Sequence, residues 1–260
     1  MRLATWNVNS LKARMPRVEE WIATFRPDVL CLQETKCSDE AFPQLAFSAL
    51  GYDAAHAGQG RWNGVAIVSR VGLDDVVVGF GDDGPEDPEA RILWATCGGL
   101  RVASVYVPNG REVGHEQYEY KLAWLARLTD AIRSRYRPED PLVVCGDWNV
   151  APEDRDVWDP AAFVGATHVS EPERAAVRAL EAWGLEDVFR RHHPQPGLFS
   201  WWDYRGGDFH QGRGMRIDLV LATAPVAART RAVLIDRNAR KGERPSDHAP
   251  VVVDLDEEDR

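Results

Sequence analysis

Short runs of apolar residues alternate with longer segments of helical periodicity along most of the chain. In the longest helical segment, residues 114–136, apolar side chains recur at spacings of three and four, as on one face of an α-helix. Its predicted buried stripe consists of Tyr118, Leu122, Leu125, Leu128, Ile132 and Tyr136. The short apolar runs are bounded by turn-forming residues, which is typical of β-strands. Strands are predicted for residues 3–7, 29–33, 64–69, 76–80, 92–96, 100–107, 142–145, 217–221 and 250–253, and helices for residues 11–25, 114–136 and 173–183.

The order of these elements predicts one α/β domain with mixed sheets over residues 1–260, because no repeat, linker or break in composition interrupts it. The acidic residues 254–260 are predicted to form a solvated tail. No apolar stretch approaches the roughly 18 residues that a membrane span needs. The four cysteines are scattered and form no CxxC pair, which disfavours a disulfide framework or a zinc module. We therefore expect a cytoplasmic protein without a membrane segment, and we expect it to be a monomer.

The distribution of charge matters more than its total. The chain carries 31 Lys and Arg against 41 Asp and Glu, so the formal net charge is −10. A negative total by itself disfavours a nucleic-acid partner. The acidic residues are concentrated in residues 82–89 and 254–259, whereas residues 229–244 hold six basic residues and two acidic ones. Because the charge is segregated, the sequence is compatible with a local basic face that contacts DNA.

Acidic, amide and histidine side chains gather where the predicted strands end. Each of them alone could be a helix cap or a turn former. In layered α/β folds, however, the strand ends form the crevice in which ligands bind. Carboxylate and amide oxygens suit Mg²⁺ or Mn²⁺, and such ions assist the hydrolysis of phosphoesters. The residues concerned are Asn7, Asn9, Glu34, Asn109, Asp147, Asn149, Asp218, Asp247 and His248.

Motifs of other enzyme classes are absent or misplaced in the sequence. GFGDDG at residues 79–84 matches GxGxxG by letter, but it runs into an acidic cluster with two prolines instead of a helix. Ser246, Asp247 and His248 include the residue types of a hydrolase triad, yet adjacent residues cannot form a proton relay. The chain contains neither a GxSxG elbow nor a GxxxxGK[ST] loop. The sequence therefore favours metal-assisted hydrolysis over a serine nucleophile.

Several of these segments together resemble the exonuclease III type of class II apurinic/apyrimidinic (AP) endonuclease, within the endonuclease–exonuclease–phosphatase superfamily. The most specific stretches are QETK (33–36), GDWN (146–149) and SDHAPV (246–251). VYVPNG (105–110) and FSWWDYR (199–205) favour the DNA-repair branch of the superfamily. The resemblance implies a four-layer α/β sandwich, in which two mixed β-sheets pack face to face and are flanked by helices.

The resemblance also implies an activity. It predicts a bacterial metal-dependent DNA repair phosphodiesterase, with Mg²⁺ or Mn²⁺, that incises duplex DNA 5′ to abasic sites and leaves a 3′-hydroxyl. The same chemistry at a strand end would give a 3′–5′ exonuclease that also removes blocking groups. Two alternatives stay open, namely a phosphoesterase of the superfamily that acts on RNA or small phosphoesters, and an inactive DNA-binding relative. The complete set of polar residues in the family motifs argues against the inactive relative.

In this family the metal and the attacking water occupy defined positions. The resemblance places the divalent ion on Glu34, with Asn9 nearby at a position where some relatives carry aspartate. Asp147, another candidate metal ligand, is implied to orient or deprotonate the water, held by hydrogen bonds from Asn149 and Asn7. Asn149 is also a candidate ligand, and Asp247 is a candidate for a second metal, so one-metal and two-metal mechanisms both stay open.

The phosphate and the DNA are implied to contact a further set of residues. His248 would bind the scissile phosphate while Asp218 fixes its tautomer, and Tyr106 and Asn109 would contact the same phosphate. The pocket for a base-free sugar is implied to be formed by Trp201, Met215 and Ile217, and Met215 replaces the aromatic residue of some relatives. Contacts to the DNA backbone are expected from Lys36, Arg111, Arg205, Arg213, Arg216, Arg240 and Arg244, and Lys36 is also expected to neutralise the carboxylate cluster.

Overall fold

Two six-stranded β-sheets form the centre of the computed structural model, which describes residues 1–256. Each sheet is mixed, with one parallel pair of strands among antiparallel neighbours. In spatial order, the first sheet contains β13 (Thr230–Ile235), β14 (Val251–Leu255), β1 (Arg2–Asn7), β2 (Val29–Gln33), β4 (Val65–Ser69) and β3 (Asp53–Ala57). The second contains β5 (Asp74–Val78), β6 (Ile92–Cys97), β7 (Leu100–Tyr106), β8 (Leu142–Asp147), β12 (Asp218–Thr223) and β9 (Leu185–Asp187), and a separate ribbon pairs β10 (Trp201–Trp202) with β11 (Gly214–Met215).

The helices cover the outer faces of the two sheets. Val18 and Ile22 of the first helix pack on the outer face of the first sheet, and Leu128 and Leu180 pack on that of the second. Leu3 and Val143 belong to one buried apolar cluster between the sheets. The result is the four-layer α/β sandwich with face-to-face mixed sheets, as expected from the sequence. The helices are α1 (Leu11–Phe25), α2 (Gln44–Ala49), α3 (Glu116–Arg135), α4 (Glu171–Trp183), α5 (Val188–His192), α6 (Asp208–Gln211) and α7 (Ala224–Ala227).

Along β1 and β8, the side chains that face the space between the sheets change from apolar to polar. On β1, Leu3 belongs to the apolar core and Thr5 bonds to Gln33. Asn7, the next residue on the same face, lies in the site described below. On β8, Val143 and Cys145 are followed on the same face by Asp147. Because side chains on one face of a strand are two residues apart, the strand ends bring several polar residues into one crevice.

Most predicted elements are present, but the structure contains strands that the prediction missed, and the C-terminal strand extends into the predicted tail. The strands β3, β9 and β13 were missed by the sequence prediction because they are short or carry mixed polarity. The predicted tail begins too early, since Asp254 and Leu255 belong to β14, Leu255 is buried, and Asp254 pairs with Arg2 at 2.7 Å. Residues 257–260 lie outside the described residues. Among residues 1–256, no helix is long and apolar enough to cross a membrane.

Candidate active site

Asn7 connects two carboxylates that lie at strand ends in the two different sheets. Its Nδ2 atom donates hydrogen bonds of 2.8 Å to Oε1 of Glu34 and to Oδ2 of Asp147. Asn7 and Asp147 are buried, whereas Glu34 is partly exposed. One oxygen each of Glu34 and Asp147 and one ring nitrogen of His248 lie within 4.8 Å of one another. This is the acidic group in residues 1–256 that could hold a metal ion.

His248 is oriented by a carboxylate on its far side. Its Nδ1 atom lies 2.8 Å from Oδ2 of Asp218, and its Nε2 atom lies 3.6 Å from Oδ2 of Asp147. Ser200 Oγ donates a 2.6 Å hydrogen bond to the same oxygen of Asp218. Because an imidazole that donates from Nδ1 has its ring plane fixed, Nε2 is left to point into the crevice.

The buried charges shift the protonation of this group. Burial raises the pKa of Asp147, His248 lowers it, and the negative charges of Asp218 and Glu34 raise it, so that the pKa lies at about 7. Burial by itself would lower the pKa of His248, but the charges of Asp218 and Asp147 outweigh it and raise that pKa to about 10. At neutral pH the ring is therefore an imidazolium, which donates hydrogen bonds and does not bind a metal ion.

Two asparagines and a tyrosine complete the crevice beside Asp147. Asn149, in the left-handed backbone region at φ 50°, donates its backbone N–H to Asp147 Oδ1 at 3.0 Å and its Nδ2 to the carbonyl of Val107. Asn109 Nδ2 lies 3.4 Å from Asn149 Oδ1. Burial and the charge of Glu34 raise the pKa of Tyr106, so this phenol stays protonated at neutral pH. The structure thus brings the predicted phosphate-binding residues to one place.

Asn9 and Asp247 lie at the rim of the crevice and bind each other. Asn9 Nδ2 donates to Asp247 Oδ1 at 3.0 Å, and Trp201 Nε1 donates to Asp247 Oδ2 at 3.0 Å. Lys36 Nζ lies 2.9 Å from Glu34 Oε2 and donates to Asn9 Oδ1 at 2.6 Å. Both oxygens of Asp247 therefore have protein donors, and Lys36 offsets the charge of Glu34.

An apolar cluster adjoins the rim at the residues expected to form the sugar pocket. Met215 and Ile217 are buried together, and Trp201 pairs with Met215 across the β10–β11 ribbon and stays partly exposed. An isolated bridge joins Trp201 to His248, so the cluster lies next to the charged group. The apolar cluster therefore adjoins the acidic crevice through Trp201, its partly exposed member.

The structure corrects the expected DNA contacts at two arginines. Arg216 is fully buried and pairs with Asp156 at 2.6 Å and with Asp187 at 2.8 Å, so it cannot reach a DNA backbone. Arg240 is also buried, and it donates to the carbonyl of Ser246 at 2.9 Å. An arginine beside an apolar strand can have buried acidic partners that are distant in sequence, which local pattern does not reveal. The other expected contacts are exposed or partly exposed, at Lys36, Arg111, Arg205, Arg213 and Arg244.

Sequence reasoning missed the residues that support the site from below. Lys121 is fully buried on α3, whereas Leu122, predicted to face the core, is only half-buried. The spacing offered a signal, because Lys121 lies three residues after Tyr118 and four before Leu125, on the buried stripe itself. Ser200, which bonds to Asp218, carried no such signal.

Comparisons with known proteins agree with this fold. The profile of the Endonuclease/Exonuclease/phosphatase family matches residues 4–248. Exodeoxyribonuclease III of Haemophilus influenzae is 35% identical over 266 residues, which cover 96% of this chain and 98% of the relative. Among solved structures, an AP endonuclease from Archaeoglobus fulgidus superposes with a TM-score of 0.95 at 38% identity, covering 99% of this chain and 100% of that one.

A second solved structure adds a DNA complex to the comparison. The 3′ phosphatase NExo from Neisseria, bound to a product DNA hairpin, superposes with a TM-score of 0.95 at 40% identity, and the match covers 99% of this chain and 100% of that one. The resemblance found in the sequence motifs is therefore confirmed over nearly the full length. This chain belongs to the Endonuclease/Exonuclease/phosphatase family, and exodeoxyribonuclease III is among its relatives.

Proposed function

We propose that the protein is a metal-dependent DNA repair phosphodiesterase that incises duplex DNA 5′ to abasic sites and processes 3′ ends. The observation that carries the proposal is the group of Glu34, Asp147 and His248 at the strand ends, in which two carboxylates face an imidazolium. The relatives support it, since they are named as an exodeoxyribonuclease III, an AP endonuclease and a 3′ phosphatase bound to product DNA.

The donor set fits Mg²⁺ or Mn²⁺. Glu34 and Asp147 offer carboxylate oxygens, which these ions prefer, and each carboxylate can accept more bonds than the protein supplies here. We propose that Glu34 is the main protein ligand, with Asp147 and Asn149 beside it, whereas Asn9 and Asp247 act from the rim. A bound ion would polarise the phosphate and offset the negative charge that develops during hydrolysis.

In the proposed mechanism Asp147 orients the attacking water and accepts its proton. Burial raises the pKa of Asp147 to about 7 in the metal-free protein, so this carboxylate accepts a proton more readily than an exposed one. Asn7 and the backbone of Asn149 hold the two carboxylate oxygens, so the base has one orientation. The amide of Asn7 positions Asp147 without adding a charge, and its hydrogen bond to Oδ2 lowers the pKa of the carboxyl.

We propose that His248, Tyr106 and Asn109 bind the scissile phosphate. The imidazolium donates from Nε2 while Asp218 holds Nδ1, and the neutral phenol of Tyr106 provides a further donor. Such preorganised donors act where charge develops, and the loss of one typically costs on the order of 10²–10³ in turnover. Attack by water on phosphorus then releases a 3′-hydroxyl and a 5′-phosphate.

The pocket of Trp201, Met215 and Ile217 is proposed to accept a base-free sugar that has rotated out of the duplex. An apolar site of this kind selects against an intact nucleotide by shape. The exposed Arg111, Arg205 and Arg244, with the partly exposed Arg213 and Lys36, are proposed to contact the DNA backbone, which gives binding that weakens with salt.

The experiment that tests this function uses a 5′-labelled duplex with one tetrahydrofuran abasic analogue, and a hairpin with a 3′-phosphate. Each is incubated with Mg²⁺ or with EDTA, using the wild type and Asp147→Asn. We expect metal-dependent cleavage directly 5′ to the analogue and release of the 3′-phosphate, both lost in the variant. Processing of the 3′ end without incision would restrict the activity to strand ends. Cleavage of neither DNA would contradict the proposal and favour RNA or a small phosphoester as substrate.

A further inference from the structure

A buried ion pair lies directly beneath the candidate active site and takes no part in the mechanism above. Lys121 on α3 and Glu173 on α4 are both fully buried, and Glu173 accepts a hydrogen bond from Lys121 Nζ. Removing two charges from water costs several kcal/mol per ion, and replacing a buried pair by apolar residues is often neutral for stability. Stability alone is therefore a weak explanation for this pair.

The ammonium of Lys121 uses its other two donors on the backbone of the site. Nζ donates to the carbonyl of Asn149 at 2.6 Å and to the carbonyl of Asn109 at 3.2 Å. These asparagines follow the parallel strands β8 and β7, and their side chains lie 3.4 Å apart in the crevice. One buried cation thus links the two segments from behind.

Glu173 ties the same ammonium to a third segment. Its Oε1 atom also accepts from Thr167 Oγ1 at 2.8 Å and from the backbone N–H of His168 at 2.9 Å. The ring of His168 in turn donates from Nδ1 to the carbonyl of Asn149 at 2.6 Å. The carbonyl of Asn149 therefore accepts from two donors, both of which depend on Glu173.

Gly110 shows how closely this network approaches the site. Its φ is +88°, and a Cβ atom at this position would lie 3.0 Å from Cδ of Lys121 and 3.0 Å from Oγ1 of Thr167. Only glycine combines this backbone conformation with room for the lysine stem. The chain after Asn109 is thus shaped around Lys121.

We propose that Lys121 is a positioning residue for phosphodiester hydrolysis, which holds Asn109 and Asn149 in register while Glu173 keeps the ammonium in place. This inference rests on the proposed function, because the two asparagines act on the phosphate and on Asp147 in that mechanism. Loss of the link would displace both side chains while leaving the DNA-binding surface intact. A displacement of about 1 Å in such a site can reduce turnover about 100-fold.

The test separates positioning from stability with two variants. Lys121→Met removes the three donors and leaves the buried carboxylate of Glu173 without its cationic partner, so it is expected to lose both stability and kcat. Lys121→Met/Glu173→Gln removes the unpaired charge, so its melting temperature should recover toward that of the wild type. We expect kcat of the double variant on the 3′-phosphate hairpin to stay about 10- to 100-fold below wild type, with KM changed less than about threefold. Recovery of kcat together with stability would overturn the proposal.

A crystal structure of the double variant gives a readout that is independent of activity. We expect the side chains of Asn109 and Asn149 to move apart, whereas an unchanged separation would overturn the proposal. If the wild type cleaves neither DNA, the proposed function fails, and the structural comparison still decides whether Lys121 positions the asparagines. If the methionine variant does not fold, Lys121→Gln/Glu173→Gln provides the same comparison with a neutral pair of amides.

Discussion

Asp147 and Asp218 lie directly opposite each other on the antiparallel strands β8 and β12, and the imidazole of His248 contacts both carboxylates. The two acids differ in their partners. Asp218 accepts from Ser200 and His248, whereas Asp147 accepts from Asn7 and from the backbone of Asn149. Environments that differ in this way give neighbouring carboxylates different roles. Here one acid orients the histidine and the other faces the crevice.

Replacing Asp218 by asparagine is expected to lower the pKa of His248, which is about 10 in the metal-free protein. Burial lowers the pKa of His248, and in this variant the negative charge of Asp218 no longer opposes that effect. We therefore expect the pKa to decrease by at least about one unit. An NMR titration of the ring in EDTA-treated protein measures this change. Ser200→Ala keeps the charge of Asp218 and serves as the control with a smaller shift. An unchanged pKa in Asp218→Asn would show that Asp218 does not hold the charge of the ring.

The same shift predicts how stability depends on pH. His248 binds its proton more tightly in the folded protein, at a pKa of about 10, than in the unfolded chain, at 6.5. Its stabilising contribution is therefore complete below pH 6.5 and is lost as the pH rises through about 10. Urea unfolding of the metal-free wild type and of His248→Gln isolates this contribution as a difference. That difference should shrink between pH 6.5 and 10, and a difference that grows with pH would refute the prediction.

Metal affinity should increase with pH around neutrality. Because Asp147 has a pKa of about 7 and must release its proton to face the ion, we expect the affinity for Mn²⁺ to rise about tenfold between pH 6 and pH 8. Calorimetry in buffers of different ionisation enthalpy measures both the affinity and the proton release. Asp247→Asn, at the rim, should keep this pH dependence, whereas Asp147→Asn should lose it. A pH-independent affinity in the wild type would place the ion away from Asp147.

Arg216 and Arg205 should behave in opposite ways when replaced by methionine. Arg216 is buried between Asp156 and Asp187, and removing one partner of a buried ion pair typically costs about 3–5 kcal/mol of unfolding free energy. The Arg205 side chain is 89% exposed, so its loss should leave stability nearly unchanged. Arg205→Met should instead weaken duplex binding and reduce the salt slope by about one. Urea unfolding and fluorescence anisotropy from about 50 to 200 mM salt measure both effects. Equal stability of the two variants would contradict the buried role of Arg216.

Met215 should influence the choice of substrate more than the chemistry. It packs with Ile217 and Val157 beside Trp201, so truncation to alanine opens the proposed sugar pocket. We expect Met215→Ala to reduce kcat/KM on the tetrahydrofuran duplex several-fold more than on an ordinary 3′ end. Met215→Leu conserves volume and serves as the control with nearly wild-type selectivity. An equal loss on both substrates would indicate that the pocket does not contact the abasic sugar.

Local periodicity explains why much of the site could be predicted. Residues two apart on a strand share a face, so Asn7 and Asp147 follow the apolar residues of β1 and β8 into the crevice. The sequence also carried a signal for Lys121, but a lysine at a buried helical position is ordinarily assigned to the surface. Its burial depends on Glu173, 52 residues away, which no pattern within α3 reveals.

By itself, the sequence determined the alternation of strands and helices, the family and the polar residues at the strand ends, because these follow from local spacing and motif. Only the tertiary structure decided which charges are buried and what they contact. Arg216 and Arg240 look like surface cations in sequence, yet they are enclosed by the fold. The physical reason is that the cost of burying a charge is set by its partners, and those partners come together only when distant segments pack.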